Sequence, residues 1–204
     1  MKKFELTTKF ITNVAGKKLF RIKALVEFGN VKAGELGGYV EKEGNISQDG
    51  NAWVSGNAWV DGNATVTGNA TVTGNTKVSG NATVSGNAKV HGNAWVTDNT
   101  EVSGNATVSG NATVSGNATV SGNAEVSGNT DYALAQGFGT EFRCTTFYRG
   151  KNKKIMVNCG CFHGDLEEFR KQVKETRSGK IAKEYLMIAD LMEYHFASED
   201  SDDE

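Results

Sequence analysis

Between residues 50 and 129 the chain repeats one six-residue unit, a period that no α-helix can carry. Valine stands at 54, 60, 66, 72, 78, 84, 90, 96, 102, 108, 114, 120 and 126, with no insertion. Two positions before each valine is alanine, replaced by threonine only at Thr76 and Thr100. A helix turns every 3.6 residues and would scatter these apolar positions around its surface. In a strand, residues i and i+2 share a face, so Ala-x-Val reads as a short strand lining a core. Gly-Asn follows each strand, with Asp98-Asn99 the one variant. Both residue types tolerate left-handed backbone angles, so the dipeptide marks a bend. Three strands and three bends close a coil of about 18 residues, and coils stack as parallel strands about 4.8 Å apart. The expected fold is mainly β: a three-sided, single-stranded parallel β-helix.

Composition then narrows the setting. The chain has 25 glycines and no proline, and the glycines are periodic, so disorder is the wrong inference. Net charge is −2, which argues neither for nor against nucleic acid, and no nucleic-acid partner is expected. The last seven residues, "SEDSDDE", hold five acids and read as a solvated tail over 198–204. No apolar run reaches membrane-spanning length and no signal-peptide pattern opens the chain, so a soluble, cytoplasmic protein is expected. Cys144, Cys159 and Cys161 are an odd count and read as reduced thiols.

The unit "NATVSG" resembles the hexapeptide-repeat left-handed β-helix. The period implies three sides; left-handedness is implied by the resemblance alone, and a right-handed solenoid such as the bactofilins remains the alternative. "FGNVKAGELGGYVEKEGNISQDGNAWV", residues 28–54, is similar to the lead-in of a family of phage and enterobacterial hexapeptide proteins that includes YdcK. Residues 145–176 resemble the C-terminal module of its phage members. The resemblance implies a phage or prophage setting, a trimer, and a transferase label that rests on fold analogy.

Around the repeat, residues 1–38 read as an N-terminal β-hairpin cap: "KFELTTKFIT" and "KLFRIKALVEF" flank "NVAGK". Phe20, Ile22, Ala24, Val26 and Phe28 alternate and are expected to face the first coil. The β-helix is assigned to 39–130. Val40 and Ile46 keep the six-residue register, and "SQDG" shifts it by two before Val54. Residues 131–197 read as a ββαα module. Its first helix starts at Asp165 with Glu168 three residues on, and its second carries Ile181, Tyr185, Ile188, Met192 and Phe196 on one stripe.

Candidate sites follow from residue chemistry. Enzymes that the repeat resembles use a catalytic histidine, a protruding loop and an acyl-donor groove between subunits. His91, in "NAKVHGN", is the one histidine in the repeats and is expected to point outward, and no inserted loop interrupts 50–130. Cys144, Cys159, Cys161 and His163 supply zinc-ligand types, but Cys-x-Cys is not the usual knuckle spacing. Arg149, Lys151, Lys153 and Lys154 form a basic hairpin tip beside Phe147 and Tyr148, a candidate anion contact. No phosphate loop is present and no cofactor is expected.

The outward positions discriminate more. With every third repeat on the same face, Trp59, Lys77, Trp95 and Thr113 form one column; Trp53, Thr71, Lys89, Thr107 and Glu125 form the second; Thr65, Thr83, Glu101 and Thr119 form the third. Ice binding would need unbroken Thr ranks, and Glu101 breaks the best one. Exposed tryptophans on a solenoid mark contact surfaces. Trp53, Trp59, Lys77 and Trp95 are therefore the candidate seam of a homo-oligomer, or a surface for a host protein or small-molecule ligand. The function expected is a non-catalytic scaffold or binding protein; an acyltransferase with an inter-subunit site and a phage counter-defence protein are the alternatives.

Overall fold

The computed structural model describes residues 2–197, so the acidic tail expected over 198–204 lies outside the described residues. The chain divides into two compact units, Met1–Asn129 and Thr130–Glu204.

In the first unit, thirteen two-residue strands run from β4 (Trp53–Val54) to β16 (Glu125–Val126). Each pairs in parallel with the strand three repeats away, as in Val54↔Val72, Val72↔Val90 and Val90↔Val108. The result is a parallel β-solenoid of about five turns, with every repeat valine and alanine buried. Thr76 and Thr100 are buried in alanine positions. Thr100 Oγ1 donates to the Thr97 carbonyl at 2.7 Å, whereas Thr76 Oγ1 has no partner among the described residues.

The corners carry more than a bend. Asn51 Nδ2 donates to Asn69 Oδ1 at 3.0 Å, and the rank continues through Asn87, Asn105 and Asn123. The other two corners hold equivalent ranks, Asn57 to Asn111 and Asn63 to Asn117. A primary amide both donates and accepts, so a stacked rank satisfies itself from coil to coil. Glycine before the corner asparagine is favoured for two reasons, seen at Gly86. Its φ is +67°, and a Cβ there would lie 2.9 Å from the Gly104 nitrogen. Asp98 occupies the same conformation (φ +61°), and its Oδ2 accepts from the Gly116 N–H at 2.9 Å.

The N-terminal chain closes one end. β1 (Phe4–Thr12) and β2 (Lys18–Ala24) form an antiparallel hairpin, and β3 (Leu36–Val40) pairs with β2 on one side and with β5 (Trp59–Val60) on the other. The separation within the pairs Val40↔Val60 and Ile46↔Val66 is one coil plus the expected shift of two. Strict alternation in β2 does not hold. The ladder slips between Leu6 and Phe10 and between Arg21 and Lys23. Leu19, Ile22 and Ala24 are consequently the buried residues, while Phe20 packs on exposed Phe10 at 6.0 Å between centroids. Bulges break the period of two, so a sequence alternation cannot be followed through them. Lys3 Nζ donates to the carbonyls of Gly50 and Ala52, at 3.2 and 3.0 Å, and so terminates part of the open coil edge. Burial pushes the Lys3 ammonium pKa down.

The second unit is a four-stranded antiparallel meander of β17 (Tyr132–Phe138), β18 (Arg143–Arg149), β19 (Ile155–Cys159) and β20 (Phe162–Asp165), followed by α1 (Leu166–Thr176) and α2 (Gly179–Phe196). The expected ββαα unit thus gains two strands. β20 is only four residues long with a glycine inside, and β17 is "YALAQGF", so neither shows a strong strand pattern. Phe147 and Val157 of the sheet, Leu166, Phe169 and Val173 of α1, and Ile188, Met192 and Phe196 of α2 form one core. The first helix starts as expected: Asp165 Oδ1 accepts from the Glu168 N–H at 3.0 Å, and Glu168 accepts from the Asp165 N–H at 2.8 Å.

Candidate interaction surface

Parallel register fixes what stands beside what on the solenoid face. Trp59 pairs with Lys77, Lys77 with Trp95, and Trp95 with Thr113. Lys77 Nζ lies 4.8 Å from the Trp59 ring centroid and 3.9 Å from that of Trp95. The ammonium therefore touches the electron-rich faces of two indoles, from one coil above and one below. Trp95 is 46% exposed. The strip also extends further than the repeat. Tyr39 pairs with Trp59, and the Arg21 guanidinium lies 5.1 Å from the Tyr39 ring while Nη1 donates to its hydroxyl at 3.0 Å. Sequence reasoning missed Tyr39 and Arg21. The signal for Tyr39 was present, because the shift of two at "SQDG" puts 39 beside 59 rather than beside 57.

Trp53 does not share this surface, contrary to the sequence expectation. It is 5% exposed, with Phe4 and Phe28 edge-on at 6.3 and 5.4 Å. A side chain at Gly37 would come within 2.6 Å of its ring, so the missing Cβ is what admits the indole. The residue belongs to the core beneath the N-terminal cap.

The other candidates are dispersed. His91 is exposed just after β10 (Lys89–Val90), with no side-chain partner among the described residues to orient it as a base. Cys144, Cys159 and Cys161 are free thiols; burial pushes the Cys144 thiol up, and Cys159 Sγ accepts from Thr145 Oγ1 at 3.1 Å. His163 Nδ1 lies 2.6 Å from Asn158 Oδ1. Among the described residues no group of three or more His, Cys, Asp or Glu side chains gathers as a metal site.

The basic hairpin tip is not one patch. Arg149 Nε pairs with Asp131 at 3.2 Å, and Nη2 donates to the Phe196 carbonyl at 2.9 Å. Lys154 pairs at 2.8 Å with Asp165, the carboxylate that caps α1. Lys151 and Lys153 are exposed, but Phe147 and Tyr148 are fully buried and offer no stacking platform. Two of the four cations are thus engaged in holding the fold.

The family model for the YdcK β-solenoid repeat matches residues 77–92, 102–116 and 114–128. The solenoid resembles the YdcK repeat. These stretches contain Lys77 and His91 but neither Trp59 nor Trp95, so the YdcK likeness concerns the coil and not the indole strip. No curated protein matches the chain. Among the described residues no helix is long and apolar enough to cross a membrane.

Proposed function

We propose that the protein is a non-catalytic β-solenoid scaffold that assembles with copies of itself through the Tyr39–Trp59–Lys77–Trp95 strip. The observation that carries this reading is the strip itself: three aromatic side chains and one lysine in continuous parallel register, on a solenoid whose other outward positions are mostly Thr, Ser and Asn. Burying indole surface is worth roughly 25 cal/mol per Å², and the Lys77 ammonium, held over both rings, stays in contact with them as the strip is covered. Closed cyclic symmetry would bury the strip once per subunit, and a three-sided prism suits three copies. The phage or prophage setting, and with it a bacterial cytoplasm, rests on the resemblance of the lead-in and C-terminal segments.

The double variant Trp59→Ser/Trp95→Ser tests the reading. Neither side chain supports the core, so the variant should keep its far-UV circular dichroism and lose the strip-dependent assembly, with a mass in light scattering well below that of wild type at the same concentration. A wild type that is already monomeric, or a variant that assembles unchanged, makes the strip a surface for another protein or a small ligand. Calorimetry with acetyl-coenzyme A tests the enzymatic alternative, in which His91 would be the base. Saturable binding at micromolar concentration would overturn the scaffold reading.

A further inference from the structure

α2 is apolar on two sides. Ile188, Met192 and Phe196 enter the core of the second unit. On the outside, Met187, Leu191 and Tyr194 are 61, 58 and 83% exposed. Their spacing of four and three residues puts them on a single stripe of the helix. Isolated apolar side chains at a surface are ordinary, but a register of three on one helix face is the pattern of a helix seam.

Charge along the same helix says what covers the stripe. Its first turns carry exposed Lys183 and exposed Lys180, which pairs with Glu184 at 3.5 Å and leaves the turns with one net positive charge. Beyond Ala197 the chain continues with five acids in seven residues. We propose that the outer stripe of α2 packs antiparallel against α2 of a second copy of this chain. A two-fold axis between Met187 and Leu191 sets Met187 against the partner's Leu191, and the symmetry repeats that contact. The same axis carries Lys180 and Lys183 to the end of the opposite helix, where the acidic run begins. A parallel pairing would instead place lysines beside lysines and acids beside acids. Antiparallel helix dipoles add to the preference. Three side chains cover a few hundred Å² at most, below the roughly 800 Å² per partner of a stable interface, so the association is weak and salt-sensitive. This seam is independent of the indole strip.

Sedimentation velocity on the full chain, over a range of concentrations, tests the proposal with four proteins: wild type, Trp59→Ser/Trp95→Ser, Leu191→Glu, and all three changes together. Leu191→Glu should weaken association about tenfold or more in both backgrounds, because the symmetry sets a carboxylate against an apolar methionine in both copies of the contact. Its circular dichroism should not change, since the residue is exposed; Tyr194→Lys is the second variant should it misfold. If Leu191→Glu and Tyr194→Lys associate as their parents do, the helix seam is wrong, whatever the tryptophan variant shows. Loss of association in the tryptophan variant alone would support the strip and overturn the helix seam. Charge order is tested separately: Lys180→Glu/Lys183→Glu should weaken association, and adding Glu199→Lys/Asp200→Lys to the same chain should restore it. Failure to restore would overturn the antiparallel arrangement.

Discussion

Trp53 and Trp59 occupy the same position in adjacent repeats, and the solenoid turns both side chains outward from its valine core. Trp53 is nevertheless sealed between Phe4 and Phe28, whereas Trp59 stays partly exposed beside Lys77. The difference comes from chain outside the repeat. One face of the first coil receives the N-terminal segment, with Gly37 leaving room for the indole; the next face has β3 as a neighbouring strand, and the hairpin turn meets it at Asp61, whose Oδ2 accepts from Asn13 Nδ2 at 2.8 Å, beside the partly exposed indole. The period decides the direction of a side chain, and the non-periodic chain decides whether that direction leads to water. The comparison also separates two kinds of tryptophan: one is a structural plug, the other part of a surface.

The largest effect tests the direction set by the period. Val90→Asp would place a carboxylate in the solenoid interior, flanked by the fully buried Val72 and Val108. The cost should be about 4 kcal/mol or more, enough to unfold the coils. Thr107→Ala, on the outward face, should stay within about 0.5 kcal/mol of wild type. Thermal melting of the two variants side by side checks this; equal shifts would break the inside–outside assignment.

The next effect tests the seal. Trp53→Ala should cost about 3–5 kcal/mol, because a large side chain leaves a cavity beneath the cap. Trp59→Ser should cost less than about 1 kcal/mol of monomer stability, since it gives up little more than its share of the Lys77 contact. Urea unfolding followed by circular dichroism measures both. A Trp59 loss as large as that of Trp53 would show that the ladder with Lys77 is itself structural.

These two tests mark where the sequence was legible. The coil, its three-repeat register and the buried valines followed from one period, because each repeat interacts mainly with near-identical neighbours. The fate of Trp53 was not legible, because it depends on Phe4, Phe28 and Gly37, which belong to no repeat. Tyr39 was hidden by the register shift at "SQDG". Arg149 looks in sequence like part of a cationic tip, yet its partners, Asp131 and the Phe196 carbonyl, are remote along the chain. β17 and β20 were missed because their sequences fit a strand only in the company of β18 and β19. The asparagine ranks show in the sequence only as bends, although a polar amide that returns at the same corner of every coil has only its own copies to bond.

A smaller effect distinguishes the second unit from the solenoid. The solenoid closes its backbone bonds between coils, whereas α1 relies on one residue at its start. Asp165→Ala should cost about 1 kcal/mol, the usual loss for a helix cap, and it also releases Lys154. Asp165→Asn should recover most of the loss, because an amide oxygen still accepts from the Glu168 N–H. A null effect for Asp165→Ala would mean that packing of Leu166 and Phe169 alone sets the helix start.

The smallest effect returns to the cap and depends on pH. Glu41 Oε2 accepts from the Gly62 N–H at 2.6 Å and from Lys17 Nζ at 3.0 Å, tying the hairpin turn to a solenoid corner. The Gly62 N–H first, and Lys17 second, hold the Glu41 carboxyl below its ordinary range. A carboxylate whose folded pKa is depressed adds stability above its unfolded value, and that stability is lost as pH falls through the folded value. Glu41→Gln should therefore melt slightly below wild type at neutral pH, by less than the Asp165→Ala loss, since both charged partners are partly exposed. The two melting temperatures should converge as pH falls below the usual carboxylate range, where wild-type Glu41 is protonated and the variant has nothing left to lose. Lys17 does not titrate in this window and cannot produce the convergence. A gap that persists unchanged at low pH would mean that the variant disturbs the corner by its shape, and that the ion pair contributes nothing to holding the cap.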